Sequence, residues 1–497
     1  MPDGHALRSA VVAAAFAEQL GVGAEIAQHA FYLPLFAMAG CSAEAHTAAS
    51  VLGDEVLFGE AIFGRDVGRL SEVLPVVLRV ATRGKHPLAA LGAALRTLSR
   101  LSKMPEVSRA HCEVAAELAG RFGFDAGFRS ALLGVFERWD GTGAPDRKKG
   151  DDLPLALRIA HVADEANVGH RLGGVEGAIT IVRKRAGRGL DPELAERFTS
   201  VAARTCVGLE HPSPWAAAMG AEPSPRRAAS HDDIEEAVLA IAHLSDLKSR
   251  FTHGHSAGVS ALCASAAQRL GFDHEQERTL RWAGLLHDVG RVAVTAAIWE
   301  KSTPLTDAER ERIRFHTYAG ERVLAHAPAL ATAAEIATLA HERLDGSGYH
   351  RRLPGSGLSM SARVLAAADV FRALSEERPH RSAVSGERAA AELRAMAGSG
   401  ALCPDAVRAV LAAAELPAAA PVRPGGLTER EIEVLRLVAR GLTNKEIASA
   451  LEISPKTAGH HVQHLFEKLG VRTRAAATMI AMQRGLVTTR GQGMPSN

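Results

Sequence analysis

The sequence predicts an all-α fold, and three observations carry that expectation. Aromatic residues make up only 4% of the 497 residues while alanine is abundant, a composition of packed helices rather than β-sandwiches. Strict apolar–polar alternation is hard to find, whereas helical periodicity is clear through Leu7–Leu20, Leu88–Leu101 and Val114–Phe122. The length suits about three domains, and two stretches rich in Pro and small residues punctuate it, 221–230 and 411–426. The expected order is a helical bundle over 1–220, a linker over 221–230, a second bundle over 231–410, a linker over 411–426, a small four-helix domain over 427–487 and a flexible tail over 488–497.

The bulk chemistry excludes several classes. A net charge of +2 is too small to indicate nucleic acid by itself, so any basic patch must be local. Cys41, Cys112, Cys206, Cys263 and Cys403 show no paired spacing and read as thiols of a reducing compartment. No apolar run reaches membrane-spanning length, and the expected location is the cytoplasm, with no membrane partner.

The first bundle carries little chemistry of its own, but it repeats in the second. Gly4-His5-Ala6 through Gly21 aligns with Gly254-His255-Ser256 through Gly271 at an offset of 250. After an extra stretch of about 45 residues the match resumes at an offset of 205, pairing His111 with His316, Glu137–Gly143 with Glu342–Gly348, and Asp164 with Asp369. The first copy keeps His5, His111 and Asp164, but it reads Ala37-Met38 where the second reads His287-Asp288, and Phe136 where the second has His341. Three ligands without the central carboxylate make a poor metal site, so these residues read as remnants of a duplicated domain that kept its fold.

In the second bundle an amphipathic helix over Asp232–Lys248 precedes a series of potential ligands: His255, His287-Asp288, His316, His341 and Asp369. The intervals of roughly 25–32 residues correspond to one helical hairpin per ligand, so a bundle can converge them on one interior point. Imidazole and carboxylate together suit one or two divalent transition ions, Mn, Fe, Ni or Zn, better than Ca or Mg. Asp288 is the natural bridging carboxylate.

Gly254-His-Ser256, Leu285-Leu-His-Asp-Val-Gly290, Arg314-Phe-His316, His341-Glu-Arg-Leu-Asp-Gly-Ser-Gly-Tyr349 and Ala366-Ala-Ala-Asp-Val370, in this order, resemble an HD-GYP phosphohydrolase domain, with the first bundle a degenerate copy. The resemblance implies an all-α HD fold, a metal site of two or three ions, and cleavage of a phosphodiester in cyclic di-GMP or a related cyclic dinucleotide by metal-activated water. It also implies catalytic roles for Asp288 and for Arg291, which stands where the family usually has Lys. Arg keeps a cation for a phosphate oxygen, with a fork in place of a point charge. Two further departures are Ala340, where a second histidine usually precedes His341, and His350, where the family has proline. Ala340 removes an expected ligand of the second ion, and His350 is a candidate to replace it.

The last domain opens with two capping boxes, Thr428–Glu431 and Thr443–Glu446, and Ser454-Pro455 then starts a third helix. Two short helices and a polar third form a helix-turn-helix whose recognition helix enters the major groove. From Ile453 onward only Glu467 opposes Lys456, Lys468, Arg472, Arg474 and Arg484. Leu427–Leu435, Gly441–Ala448, Ser454–Thr457 and Lys468–Val471 resemble the LuxR-type DNA-binding domain. The expected contacts to double-stranded DNA are Asn444, Lys445, Lys456, Thr457, His460, His461 and Lys468, with Lys456 and Lys468 on phosphates. The resemblance implies a homodimer paired through the last helix, about Ala475–Arg484.

The sequence therefore predicts a DNA-binding transcriptional regulator with a metal-dependent phosphodiesterase domain. The alternative is an inactive region that senses a nucleotide or metal and controls DNA binding.

Overall fold

The computed structural model of the chain describes residues 4–62, 64–84, 86–414 and 427–487. The segment 415–426 and the expected tail, 488–497, lie outside the described residues. The protein is all-α: the described residues form helices joined by turns, and two isolated β-bridges are the sole extended pairings among them. The chain divides into two compact units, Met1–Ser230 and His231–Asn497.

Within the first unit, the helices His5–Leu20, Ala24–Ala37, Met104–Arg121, Ala126–Leu132 and Leu155–Arg185 surround a core built on Phe16, Phe128, Leu157, Ile159 and Phe198. Four helices between residues 45 and 100 occupy the stretch that the repeat lacks in the second copy. Within the second unit, His255–Arg269, His274–Leu286, Asp307–Leu324, Ala331–Ala337 and Met360–Ser375 recur in the same order around Val259, Leu280, Leu286, Val364 and Leu365.

Two backbone features explain why the repeat survives in the sequence. Gly4 and Gly254 sit in the left-handed region, with φ of 72° and 78°, directly before the helices that begin at His5 and His255. Gly40 and Gly290 lie so close to a neighbouring helix that an added Cβ would come within 2.0 Å and 1.9 Å of the carbonyl oxygens of His111 and His316. Both copies thus cross the short turn after the second helix over the same point of the later His-bearing helix.

The second bundle extends beyond the expected boundary at 410. Helix Pro404–Ala414 continues through it because Leu411 and Ala413 prolong the buried stripe of Val407 and Val410. The C-terminal domain contains helices Glu429–Ala439, Asn444–Ala450, Pro455–Leu469 and Arg474–Gln483 around Leu435, Ile447, Val462 and Leu465. Both expected capping boxes are formed, and Ser454 caps the third helix.

Candidate metal centre

Helix His274–Leu286 carries Leu280, Trp282, Leu285 and Leu286 into the core, which fixes its end. His287 follows as the C-cap and Asp288 begins the next turn, so the two side chains are delivered together into the interior. His255 comes from the first turn of its helix, His316 from the middle of Asp307–Leu324, His341 from the turn after Ala331–Ala337, and Asp369 from Met360–Ser375.

Asp288 is the hub. Its Oδ2 lies 3.0 Å from His287 Nε2 and 3.5 Å from His255 Nε2. Its Oδ1 lies 3.2 Å from His316 Nε2 and 3.9 Å from His341 Nε2. Asp369 faces His255 Nε2 at 3.3 Å and His341 Nδ1 at 3.3 Å. His255, His287 and Asp288 form one group with ligand atoms in mutual reach, and Asp288, His316 and His341 form a second. His316 Nε2 and His341 Nε2 are 3.1 Å apart, the spacing two imidazoles take around one ion with bonds of about 2.1 Å.

The polar accounting fits a cation. His255 Nε2, His287 Nε2 and both Asp288 oxygens are buried without a well-aligned hydrogen bond among the described residues, although Asp288 Oδ2 is ion-paired with Arg291; such a cluster of buried acceptors is costly unless a cation binds there. Rings are held from behind: His287 Nδ1 donates to the Gly284 carbonyl at 2.9 Å and His316 Nδ1 to that of Ile313 at 2.5 Å. Burial opposes charge on both carboxylates, yet Arg291 and His287 hold Asp288, and His255, His287 and His341 hold Asp369, well below the usual carboxylate range. Burial likewise disfavours the His287 imidazolium, but Asp288 and Asp369 outweigh it and raise His287 to about 10. Two ionised carboxylates and the ring nitrogens that face them make a donor set that a cation can occupy.

Arg291 Nη2 lies 2.6 Å from Asp288 Oδ2, while its Nε and Nη1 have no hydrogen-bond partner among the described residues. Ala340 is fully buried in the apolar core. His350 does not compensate for it. Its Nδ1 is 3.0 Å from Thr317 Oγ1 and its Nε2 is 3.0 Å from Glu321 Oε2, two residues of the His316 helix outside the ligand cluster. Tyr349 stacks on His341 with ring centroids 4.9 Å apart, and Trp299 meets His316 edge-on. Sequence reasoning missed Glu376, whose Oε2 is 2.7 Å from His255 Nδ1. The available signal was its position seven residues, or two helical turns, after Asp369.

The first unit shows what the same scaffold does without the hub. His5 Nε2 is bonded to Asp164 Oδ1 at 2.8 Å, and Ser9 donates to the same oxygen. His111 hydrogen-bonds the Ala37 carbonyl, and Phe136 packs against its ring with centroids 4.7 Å apart. The remnants satisfy one another or the backbone, and they are not gathered into a ligand group.

In the C-terminal domain, Asn444, Lys445, Lys456, Thr457, His460 and Lys468 are exposed and His461 is half-buried. Lys468 is not free for phosphate: its Nζ lies 2.8 Å from Glu431 Oε2. Asn444 Oδ1 accepts from Arg474. The last helix is buried on its outer face as well. Ala475, Thr478, Met479 and Met482 lie outside the domain's own core yet are covered, and the helix packs against His231–Asp246. His253 Nδ1 donates to the Ala439 carbonyl at 2.6 Å, Arg250 packs on Gly441, and Val487 sits against Gly254.

An all-α bundle that aims four imidazoles and two carboxylates at a shared point, with a capped helix-turn-helix after it, defines a two-part protein. Residues 238–404 match the HD domain family and residues 426–481 match the luxR family of bacterial regulatory proteins; the chain carries both domains. Over 289 residues it is 31% identical to 3'3'-cGAMP-specific phosphodiesterase 3 of Vibrio cholerae, covering 58% of this chain and 63% of the relative. Over 171 residues it is 33% identical to a cyclic di-GMP phosphodiesterase of Thermotoga maritima, covering 34% of this chain and 46% of that protein. The chain thus spans less than two thirds of these relatives. A crystal structure of a cyclic GMP-AMP-specific phosphodiesterase of V. cholerae superposes with a TM-score of 0.54 at 26% identity, covering 83% of this chain and 93% of that one. No helix among the described residues is long and apolar enough to cross a membrane.

Proposed function

We propose that the chain is a metal-dependent phosphodiesterase acting on a cyclic dinucleotide, joined to a domain that binds double-stranded DNA and regulates transcription. The observation that carries this reading is the shared carboxylate. Asp288 turns one oxygen to His255 and His287 and the other to His316 and His341, so two ligand groups meet on one residue. With Asp369 completing the set, the donors suit Mn, Fe, Ni or Zn. When bound, such ions supply Lewis acidity toward a phosphoryl oxygen and activation of water.

The chain's own residues divide the remaining work. Arg291 carries a fixed positive charge beside Asp288, with unpaired N–H groups to hold a phosphate oxygen. Tyr349 stacks on the face of the His341 ring and Trp299 meets the His316 ring edge-on, so packing helps to orient both rings. The names of the related proteins support a cyclic dinucleotide as substrate. The luxR-family match and the exposed Lys456, Thr457 and His460 support DNA binding.

The test is a purified full-length chain loaded with Mn²⁺ and given cyclic di-GMP, 3'3'-cGAMP and a simple aryl phosphodiester, beside Asp288→Ala. Turnover that Asp288→Ala lowers by at least about a thousandfold is expected, since the variant loses the residue both ligand groups share. Metal uptake with no turnover of any of the three would leave the alternative of a nucleotide or metal sensor. No metal uptake would remove the enzyme reading and leave only a metal-free nucleotide sensor.

A further inference from the structure

Glu376 follows the helix Met360–Ser375 as its C-cap, two turns beyond Asp369. Its side chain is 1% exposed. Oε2 accepts from His255 Nδ1 at 2.7 Å. Arg372 Nη2 lies 3.1 Å from Oε1 and Arg378 Nη2 lies 3.0 Å from Oε2, so the buried charge is matched from two sides. Arg381 donates to the carbonyls of Leu374 and Glu376, which holds the turn.

The consequence for His255 is chemical. A carboxylate at Nδ1 keeps the ring proton there and leaves Nε2 with its lone pair, and it makes that nitrogen a stronger donor. Nε2 is the atom that lies 3.3 Å from Asp369 and 3.5 Å from Asp288 and lacks a hydrogen-bond partner. His287 and His316 are oriented by neutral backbone carbonyls instead.

The first unit supplies the contrast. At the repeat offset of 205 the residue in place of Glu376 is Arg171. There His5 Nδ1 faces the Asn167 amide nitrogen at 2.9 Å, and Nε2 faces Asp164 at 2.8 Å. An amide donor at Nδ1 puts the ring proton on Nε2, the tautomer that cannot present Nε2 to an ion. The orienting carboxylate and the ligand function are absent together.

We propose that Glu376 is a positioning residue of the metal centre: its hydrogen bond to Nδ1 holds His255 in the tautomer and orientation that present Nε2 beside Asp288 and Asp369. The proposal rests on the reading of this site as a divalent-metal centre.

The experiment is a Mn²⁺ titration of the metal-stripped full-length chain, read as affinity and stoichiometry rather than activity. Glu376→Gln is expected to weaken Mn²⁺ binding about 10- to 100-fold, the usual effect of losing such a partner. In a His255→Ala background the same substitution is expected to add no further loss, because there is no ring left to orient. A merely structural role would lower affinity equally in both backgrounds, and that result overturns the proposal, as does wild-type affinity in Glu376→Gln. Glu376→Asp keeps the charge between Arg372 and Arg378 while withdrawing the oxygen from Nδ1, and it gives the same direction if the glutamine variant does not fold. A wild-type chain with no Mn²⁺ affinity overturns the metal-centre reading and this proposal together; wild-type uptake that Glu376 does not influence overturns the proposal alone.

Discussion

Asp288 and Lys468 show how far a single side chain's partner decides its role. Asp288 has no exposed surface and serves both ligand groups, so no neighbour can replace it. Lys468 stands on the polar face of its helix, but its ammonium is held by Glu431, whose carboxyl that hydrogen bond lowers to about 2, with the Thr428 cap as a further cause. Two cations on one helix are therefore expected to behave differently. Lys456→Ala is expected to weaken DNA binding across all sequences and to reduce the slope of log affinity against log salt by about one, as the loss of one phosphate contact does. Lys468→Ala is expected to leave the slope nearly unchanged and to cost the domain less than about 1 kcal/mol of stability, within the range of a part-exposed ion pair. Equal salt slopes for the two variants, measured by fluorescence anisotropy, would contradict this assignment.

Among the elements, the crossing of the Asp288–Ala293 turn over the His316 helix is the joint that brings the two ligand groups together. Gly290 has no room for a side chain there, because a Cβ would lie 1.9 Å from the His316 carbonyl oxygen. Gly290→Ala is expected to destabilise the second unit by about 3 kcal/mol, the upper part of the range for overpacking a close contact, and to weaken metal binding by separating His316 from Asp288; calorimetry and metal titration measure the two effects. The corresponding helix of the first unit gives a pH prediction. Burial lowers His111 to about 4, against a partial opposing effect of its bond to the Ala37 carbonyl. Its folded pKa is depressed from an ordinary 6.5, so its contribution is fully present above about pH 6.5 and is lost as pH falls toward 4, up to about 3 kcal/mol. His111→Gln retains a donor for Ala37 and does not titrate. Its thermal midpoint is expected to fall less between pH 6.5 and 4 than that of wild type; parallel curves would show that His111 carries none of the acid sensitivity.

At the scale of the second unit, the DNA-binding domain rests on the loop that leads into His255. Arg250, His253 and Gly254 touch it directly, and the same loop is tied to the Glu376 turn, since Arg378 donates to the Phe251 carbonyl at 3.1 Å. The helix Arg474–Gln483, through which the LuxR-type resemblance implies dimer pairing, has its outer face covered by His231–Asp246. His253→Ala removes one link of this contact without touching the recognition helix. It is expected to tighten DNA binding several-fold and to raise the dimer fraction in sedimentation, as a population shift toward a released domain requires. Unchanged affinity and unchanged mass would show that this packing does not limit DNA binding.

The helical class, the duplication, the capping boxes and the set of six candidate positions were legible in the sequence because each leaves a pattern there: helical periodicity, glycines at matching offsets, hydroxyl–carboxylate pairs three residues apart, and His and Asp at one-hairpin intervals. His287 and Asp288 are adjacent, and the Ala37-Met38 pair at the matching place in the first copy singled them out as candidates. What only the tertiary structure decided depends on partners far apart in the chain. The division of Asp288 into two ligand-facing oxygens, the diversion of His350 to Thr317 and Glu321, and the capture of Lys468 by Glu431 are of this kind. So are the approach of Glu376 to His255 across 121 residues and the burial of the last helix. Periodicity states which face of a helix is apolar; it does not state which neighbour covers that face or which of two atoms of a ring or carboxylate is turned toward it.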